Sequence, residues 1–372
     1  MNKKRLGILC NFGFGPSLIG GSVGGSEIVI QHISEILSSN KFNYKVNIYG
    51  HNYKKVYNYS ENIKLIPYSK GGGVISQINE NDSVLIYSDS TWGFDTILRN
   101  IDKVVPQVSL ALVGAYHMHS HPKIFNLLKE NINKFNLIVH SKLNTDYKWC
   151  IDNDLDVTVI PNGVVLSEFR ENTINFRKKY NIKEKNIILS VNNFFYGKGF
   201  ELIPQIAKKL SEHLDDFVII SISNTLEYPY DKIFLEKTRK QSKGLNIRFL
   251  RDLPREDVVA AFNDSDVFLL PSKKEVAPLV ILESRAAKLP YVSMRVGNVM
   301  EQRGGIPQYF KDVDKKGYAI VTGDVINHFM CAIVHLFELK RLRKSVIDEG
   351  QKGIEDIDWD NIVPLYNEIF RK

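Results

Sequence analysis

Short apolar runs alternate with segments of helical periodicity along nearly the whole chain, and this alternation constrains the fold more than any motif. Leu6–Cys10, Val46–Tyr49, Ser83–Tyr87, Gln107–Val113, Leu137–His140 and Val157–Ile160 read as strands. After the first, Ser26 to Leu37 sets Ile28, Ile30, Ile33, Ile36 and Leu37 at helical spacing behind Ser26 and Glu27, two N-terminal signals. A second series follows Phe169. Ile187–Val191, Phe217–Ile222, Ile247–Leu250, Val267–Leu270 and Tyr291–Ser293 read as strands, and Gly199–Leu214, Arg255–Asn263, Pro278–Ala287 and Val325–Leu339 as helices. Strand–helix alternation predicts parallel sheets covered on both faces, here twice. The expected fold class is α/β, with two doubly wound parallel-sheet domains facing a cleft. The 372 residues suffice for two cores. Pro161-Asn162-Gly163 is a strong turn signal, and the boundary is expected just after it, giving domains 1–165 and 166–350.

Composition removes several classes. Apolar residues at 44% and charged residues at 24% exclude a largely disordered chain. The net charge of +7 is spread over both halves, with 16 basic and 13 acidic residues up to Val165 and 33 and 29 beyond it. Without a polybasic tail, that excess suits an anionic small molecule or a weakly attracted membrane surface, and no nucleic acid is expected. Cys10, Cys150 and Cys331 are odd in number and far apart, so neither a disulfide framework nor a zinc site is expected. The apolar run near the start is about five residues, shorter than a signal peptide needs, and none reaches the roughly 18 of a membrane span. The expected location is the cytoplasm.

In open α/β sheets ligands bind at the carboxyl ends of strands, so the chemistry belongs on the loops there. Gly20-Gly21-Ser-Val-Gly24-Gly25-Ser26-Glu27 follows the first strand and opens a helix. Glycines let N–H groups approach a phosphate, and a helix start favours anions. The pattern is neither GxGxxG nor a P-loop, which argues against dinucleotide oxidoreductases and P-loop NTPases. Glu275 and Glu283 flank a loop and helix in which Pro278 fits the first turn, leaving free N–H groups at Leu279 and Val280. A carboxylate accepts sugar hydroxyls, and a bare helix start holds phosphate. Lys198, in Gly197-Lys198-Gly199, sits between a strand and a helix, where an ammonium can neutralise a diphosphate or lie on the surface. His117, His119 and His121 alternate, so the middle ring points away from the other two; one histidine donating to a hydroxyl is a better reading than a metal site. Of four scattered Asp-x-Asp pairs, Asp264/Asp266 reads as a turn former before a buried strand, the set carries little information, and no metal is assigned.

Taken in order, these segments resemble the retaining GT-B glycosyltransferases, specifically glycosyltransferase family 4. The resemblance is carried by Gly24-Gly25-Ser26-Glu27, Val159-Ile-Pro-Asn162-Gly163-Val164, Gly197-Lys198-Gly199-Phe200, Phe249-Leu250, Asp266-Val-Phe-Leu-Leu-Pro-Ser272, Glu275-x7-Glu283 and Gly297-x3-Glu301. It implies two Rossmann-like domains, the first on the acceptor side and the second on the donor side. It also implies that 351–372 is a terminal helix crossing back to the first. The implied reaction moves a sugar from a nucleotide-diphosphate sugar, UDP- or GDP-linked, to a glycan, lipid-linked or small-molecule acceptor, with no cofactor and no metal. On this chain Glu275 would hold donor-sugar hydroxyls and His117 would be the active-site histidine. Glu283 would hold the ribose. Lys198, Gly24, Gly25 and the Leu279 and Val280 N–H groups behind Pro278 would face the diphosphate, and the segment from Arg251 to Leu253 would flank the base.

There are departures. The family's arginine five residues before the lysine falls on Asn193, which is neutral. Either another cation, such as Arg251 or Arg295, supplies the charge, or diphosphate binding is weaker, or the donor is unusual. A second reading, a catalytically impaired GT-B-fold binding or partner subunit, follows from the same loss. The basic, apolar stretch from His121 to Phe135 suggests a peripheral contact at the inner membrane face, or an ordinary surface helix.

Overall fold

The computed structural model describes residues 3–10, 24–50, 53–88, 91, 93–114, 122–194, 196–224 and 229–371. The chain divides into two units: Met1–Gly163 with Trp359–Lys372, and Val164–Asp358.

Among the described residues the first unit holds an eight-stranded sheet, in the order β3-β4-β2-β1-β5-β6-β7-β8. The strands are β1 (Lys4–Cys10), β2 (Tyr44–Gly50), β3 (Tyr57–Asn58), β4 (Ile63–Pro67), β5 (Ser83–Tyr87), β6 (Gln107–Leu112), β7 (Phe135–Val139) and β8 (Val157–Val159). The β3–β4 pair is antiparallel, and every other pair is parallel. Ile8 of β1 stands opposite Ile48 of β2 and Leu85 of β5. Leu6, Ile8 and Leu9 are fully buried, as a central parallel strand requires, which is why β1 reads as an unbroken apolar run. Helix α1 (Gly25–Ser38) makes the crossover to β2 and buries Val29, Ile30, Ile33 and Leu37, one stripe at helical spacing.

The basic stretch expected from His121 forms α2 (Pro122–Glu130) and then runs into β7. Ile124 and Leu128 are buried, Phe125 and Leu127 pack against the same core, and the Phe125 ring meets Trp149 edge-on at 4.8 Å. Its apolar face is therefore used by the unit's own core.

The second unit holds a six-stranded, all-parallel sheet in the order β11-β10-β9-β12-β13-β14 among the described residues. Its strands are β9 (Asn186–Val191), β10 (Phe217–Ser223), β11 (Ile247–Arg251), β12 (Val267–Leu270), β13 (Tyr291–Met294) and β14 (Gly305–Gln308). Alternate residues feed two cores. Ile188, Val267 and Leu269 cluster with Ile203 and Ile206 of α3 (Ile203–Leu210). Leu189, Phe268 and Leu270 cluster with Phe262 of α4 (Arg255–Asp264) and Ile281 of α5 (Leu279–Ala286). Helix α6 (Gly323–Glu338) adds Phe329 and Ile333 to the first cluster. The expected helix at 199–214 is shorter: a single 3-10 turn at Phe200–Leu202 precedes α3.

Residues 351–358 stay with the second unit, and the returning helix α7 spans Trp359–Ile369. It docks through specific contacts. The Tyr44 hydroxyl donates to Asn367 Oδ1 at 3.1 Å, and Ser83 Oγ donates to the Phe370 carbonyl at 3.0 Å. Trp359 stacks on His32 with centroids 5.4 Å apart. A Cβ at Gly163 would lie 2.7 Å from the Trp359 ring, so the Pro-Asn-Gly turn needs its glycine for this packing.

Candidate functional site

Two residues of the expected site meet directly beyond the carboxyl ends of β9 and β12. Beyond β9 the chain passes Asn192 and Asn193 into a 3-10 turn at Tyr196–Lys198. Gly199 ends that turn at φ +65, and a Cβ there would lie 1.9 Å from the Pro271 carbonyl oxygen. Beyond β12 runs the loop 271–278. The Lys273 N–H donates to the Gly197 carbonyl at 2.8 Å, tying the two loops together. Gly297 (φ +55), beyond β13, backs the loop from the other side: a Cβ there would lie 2.5 Å from the Val276 carbonyl oxygen. The Asn298 N–H donates to that carbonyl at 2.9 Å.

Clamped in this way, Lys198 and Glu275 join directly although 77 residues apart: Lys198 Nζ donates to Glu275 Oε1 at 2.8 Å and to Oε2 at 2.9 Å. The Glu275 side chain is 8% exposed and that of Lys198 34%. The neighbouring Lys273 is committed elsewhere, its ammonium on Glu201 Oε1 at 2.6 Å and over the Tyr196 ring.

Helix α5 begins at Leu279, with Pro278 as its N-cap in an extended conformation. Pro278, expected inside the first turn, lies one residue outside it. Among the described residues no side-chain cap hydrogen bond is made at this start, which leaves first-turn N–H groups such as those of Leu279 and Val280 without one. About one turn on, the buried Glu283 accepts from Arg255 Nη1 at 2.5 Å. Arg255 opens α4 and also donates from Nε and Nη2 to Glu168 Oε2, at 3.0 and 2.7 Å. Burial disfavours the Arg255 charge, but the Glu283 and Glu168 carboxylates outweigh it and raise its pKa. Arg251 ends β11 exposed, and Leu253 packs against the core under α4 and α5. Asn193 is exposed. Arg295 lies over the Tyr309 ring at 5.8 Å.

Sequence reasoning missed Arg255, because its partners lie 28 and 87 residues away and no local pattern marks them. The Asp264/Asp266 pair has internal partners. Asp264 Oδ2 accepts from the Phe176 N–H at 2.6 Å, and Asp266 Oδ2 from the Ile187 N–H and Arg177 Nη2, both at 2.9 Å. Among the described residues no group of three or more His, Cys, Asp or Glu is placed to hold a metal.

In the first unit Gly24 is the N-cap of α1 and Gly25 its first residue. Glu27 sits in the first turn, and its Oε2 would lie 2.7 Å from a Cβ at Gly24. The helix start that the sequence assigns to phosphate thus carries its own carboxylate, which satisfies part of its preference for negative charge. His117 lies outside the described residues, as do His119, His121, Gly20 and Gly21. A pair not foreseen closes the ends of β5 and β7. The Tyr87 hydroxyl and His140 Nε2 are 2.9 Å apart, and His140 Nδ1 is 2.9 Å from the Ile160 carbonyl. A carbonyl accepts, so Nδ1 carries the hydrogen and Nε2 receives that of Tyr87. Burial pushes the Tyr87 pKa up and the His140 pKa down.

The structure aligns over 99% of the chain with sucrose-phosphate synthase from Thermosynechococcus elongatus, covering 98% of that chain, at a TM-score of 0.75 and 14% identity. The fold is GT-B. Within it, residues 172–353, nearly all of the second GT-B unit, match the family model described as glycosyl transferases group 1. Curated relatives share shorter stretches. Sulfoquinovosyl transferase SQD2 of Arabidopsis thaliana is 25% identical over 51% of this chain and 34% of its own length. The UDP-Gal:alpha-D-GlcNAc-diphosphoundecaprenol alpha-1,3-galactosyltransferase of Escherichia coli is 31% identical over 50% of this chain and 51% of its own. The chain thus spans from a third to a half of the length of these relatives.

Proposed function

We propose that this chain is a retaining glycosyltransferase of family 4, moving a sugar from a UDP- or GDP-sugar to an acceptor hydroxyl in surface polysaccharide or glycoconjugate synthesis. The observation that carries the reading is the Lys198–Glu275 pair, set in loops beside the uncapped start of α5 within the segment that matches the group 1 model. An ammonium has three donors. Two are spent on Glu275, which leaves one for the donor phosphate. Glu275 then presents its remaining lone pairs to sugar hydroxyls, and the α5 N–H groups face the diphosphate.

In the reaction the bond from the anomeric carbon to the phosphate oxygen breaks, and the acceptor oxygen bonds to that carbon on the same face. The acceptor proton goes to the leaving phosphate. Fixed positive charge and N–H dipoles stabilise the charge that develops on the diphosphate. No protein carboxylate attacks, and no metal is assigned to the step. The acceptor belongs to the first unit, with His117 as its donor to developing charge.

The test is a thermal-shift screen against UDP, GDP, ADP and their sugar conjugates, with and without EDTA. One nucleotide should raise the Tm through binding to the folded state. The shift should survive EDTA and disappear in Lys198→Ala. A shift abolished by EDTA would remove the metal-free mechanism. No shift with any nucleotide would favour the impaired-subunit reading, which rests on the neutral Asn193.

A further inference from the structure

We infer that Arg255 is a positioning residue for ribose recognition, holding Glu283 so that its second carboxylate oxygen faces the cis-diol of a ribonucleotide; this rests on the donor reading above. Glu283 is 6% exposed. A carboxylate so buried needs a charged, hydrogen-bonded partner, and Arg255 Nη1 supplies it to Oε1. Among the described residues, no hydrogen bond is made to Glu283 Oε2.

The guanidinium is itself fixed on its far edge. Nε and Nη2 both donate to Glu168 Oε2, and the Phe169 ring lies 5.8 Å from the guanidinium carbon. Held on two edges and one face, Arg255 has little freedom to swing, and Glu283 is held with it.

Charge then selects what Glu283 can take. One guanidinium faces two carboxylates, so the cluster carries one net negative charge. It repels a phosphate and accepts from neutral hydroxyls. The α5 N–H groups that suit phosphate lie one turn nearer the helix start, about 5 Å along the axis. Anion and diol are thereby assigned to successive turns of one helix. Arg255 touches neither and acts through Glu283.

The test compares UDP and GDP with their 2′,3′-dideoxy analogues by calorimetric titration on the full chain. The unsubstituted protein should prefer a ribonucleotide about tenfold, the size of hydrogen bonds to a charged acceptor. In Arg255→Gln the ratio should fall to about one while the dideoxy affinity stays within about threefold; Arg255→Lys should keep part of the preference. If Arg255→Gln does not fold, Glu168→Ala serves: it keeps the Arg255–Glu283 contact but removes the acceptor on the far edge, and should cut the ratio at least threefold. A merely structural Arg255 would weaken both ligands equally and leave the ratio unchanged, which overturns the inference. So does nucleotide binding without any ribose preference in the unsubstituted chain. Failure of every nucleotide to bind would instead overturn the donor reading, and this inference with it.

Discussion

Each unit holds a hydrogen-bonded polar pair at the carboxyl ends of parallel strands, and the two pairs differ in charge and access. Tyr87 and His140 in the first unit are neutral, and each is 3% exposed. The hydroxyl donates to Nε2 and Nδ1–H donates to Ile160, so the imidazole has no polar capacity left. Lys198 and Glu275 in the second unit are charged, with Lys198 34% exposed and one ammonium donor unspent among the described residues. A saturated neutral pair can only hold strands together. A charged pair with a spare donor and an open side can exchange its partner for a ligand. Position in the fold alone does not separate a lock from a binding element.

The comparison breaks most easily at Lys198 and Glu275. Lys198→Ala and Glu275→Gln should each lower turnover about 10²- to 10³-fold, the usual cost of one preorganised charge or donor, with little change in Tm. Release of nucleoside diphosphate and thermal unfolding measure the two quantities. A Tm loss as large as that from breaking the Tyr87 pair would make Lys198–Glu275 another lock. Gly199→Ala comes next. The left-handed φ and the overlap with the Pro271 carbonyl force the loop to move, at about 2 kcal/mol. Nucleotide affinity should fall with stability, because Lys198 directly precedes Gly199. Unchanged affinity would show that the loop geometry does not matter to the site.

The sequence exposes this architecture unevenly. The central strands are legible: β5 and β12 form at the residues their apolar runs mark, since burial on both faces leaves no polar alternation to confuse them. The edges are not. Strand β3 is two residues long, β4 carries the exposed Lys64, and β14 reads Gly-Ile-Pro-Gln, a pattern that belongs to loops unless a neighbour pairs with it. The polar helix Lys340–Gln351 fully buries only Gly350, and its short apolar face of Leu342, Val346 and Ile347 is too brief to mark it. At the site, Lys198 and Glu275 stand out through the motif order, but their contact does not, because 77 residues separate them. Arg255 and the Tyr87–His140 pair give no signal at all. Both arise where strand ends converge, which depends on sheet order and not on local spacing.

Tyr87→Phe sharpens the contrast from the other side. It removes the donor to His140 Nε2 and leaves a buried acceptor unmet, a cost of about 1–3 kcal/mol. Turnover at saturating substrate should stay within about twofold, because a lock contributes stability and no transition-state contact. Urea unfolding and nucleoside diphosphate release decide it. A large loss of turnover with unchanged stability would place Tyr87 in the reaction itself.

The smallest effect is in pH, and its sign follows from the same burial. Desolvation holds the His140 pKa below its ordinary 6.5, with the Ile160 hydrogen bond opposing the shift. Between the two values the unfolded chain binds a proton that the folded chain does not. The stabilisation from this neutral ring is therefore complete above about pH 6.5 and drains as the pH falls toward the folded pKa, at no more than about 1.4 kcal/mol per pH unit. His140→Asn removes the titrating group and should flatten the curve by that amount. The other histidines titrate in both proteins and cancel in the difference. Urea unfolding at about pH 7.5 and about pH 5.5 gives the comparison. Parallel pH curves would mean that burial leaves the His140 pKa unshifted, and the neutral ring would then add no pH dependence to the first unit.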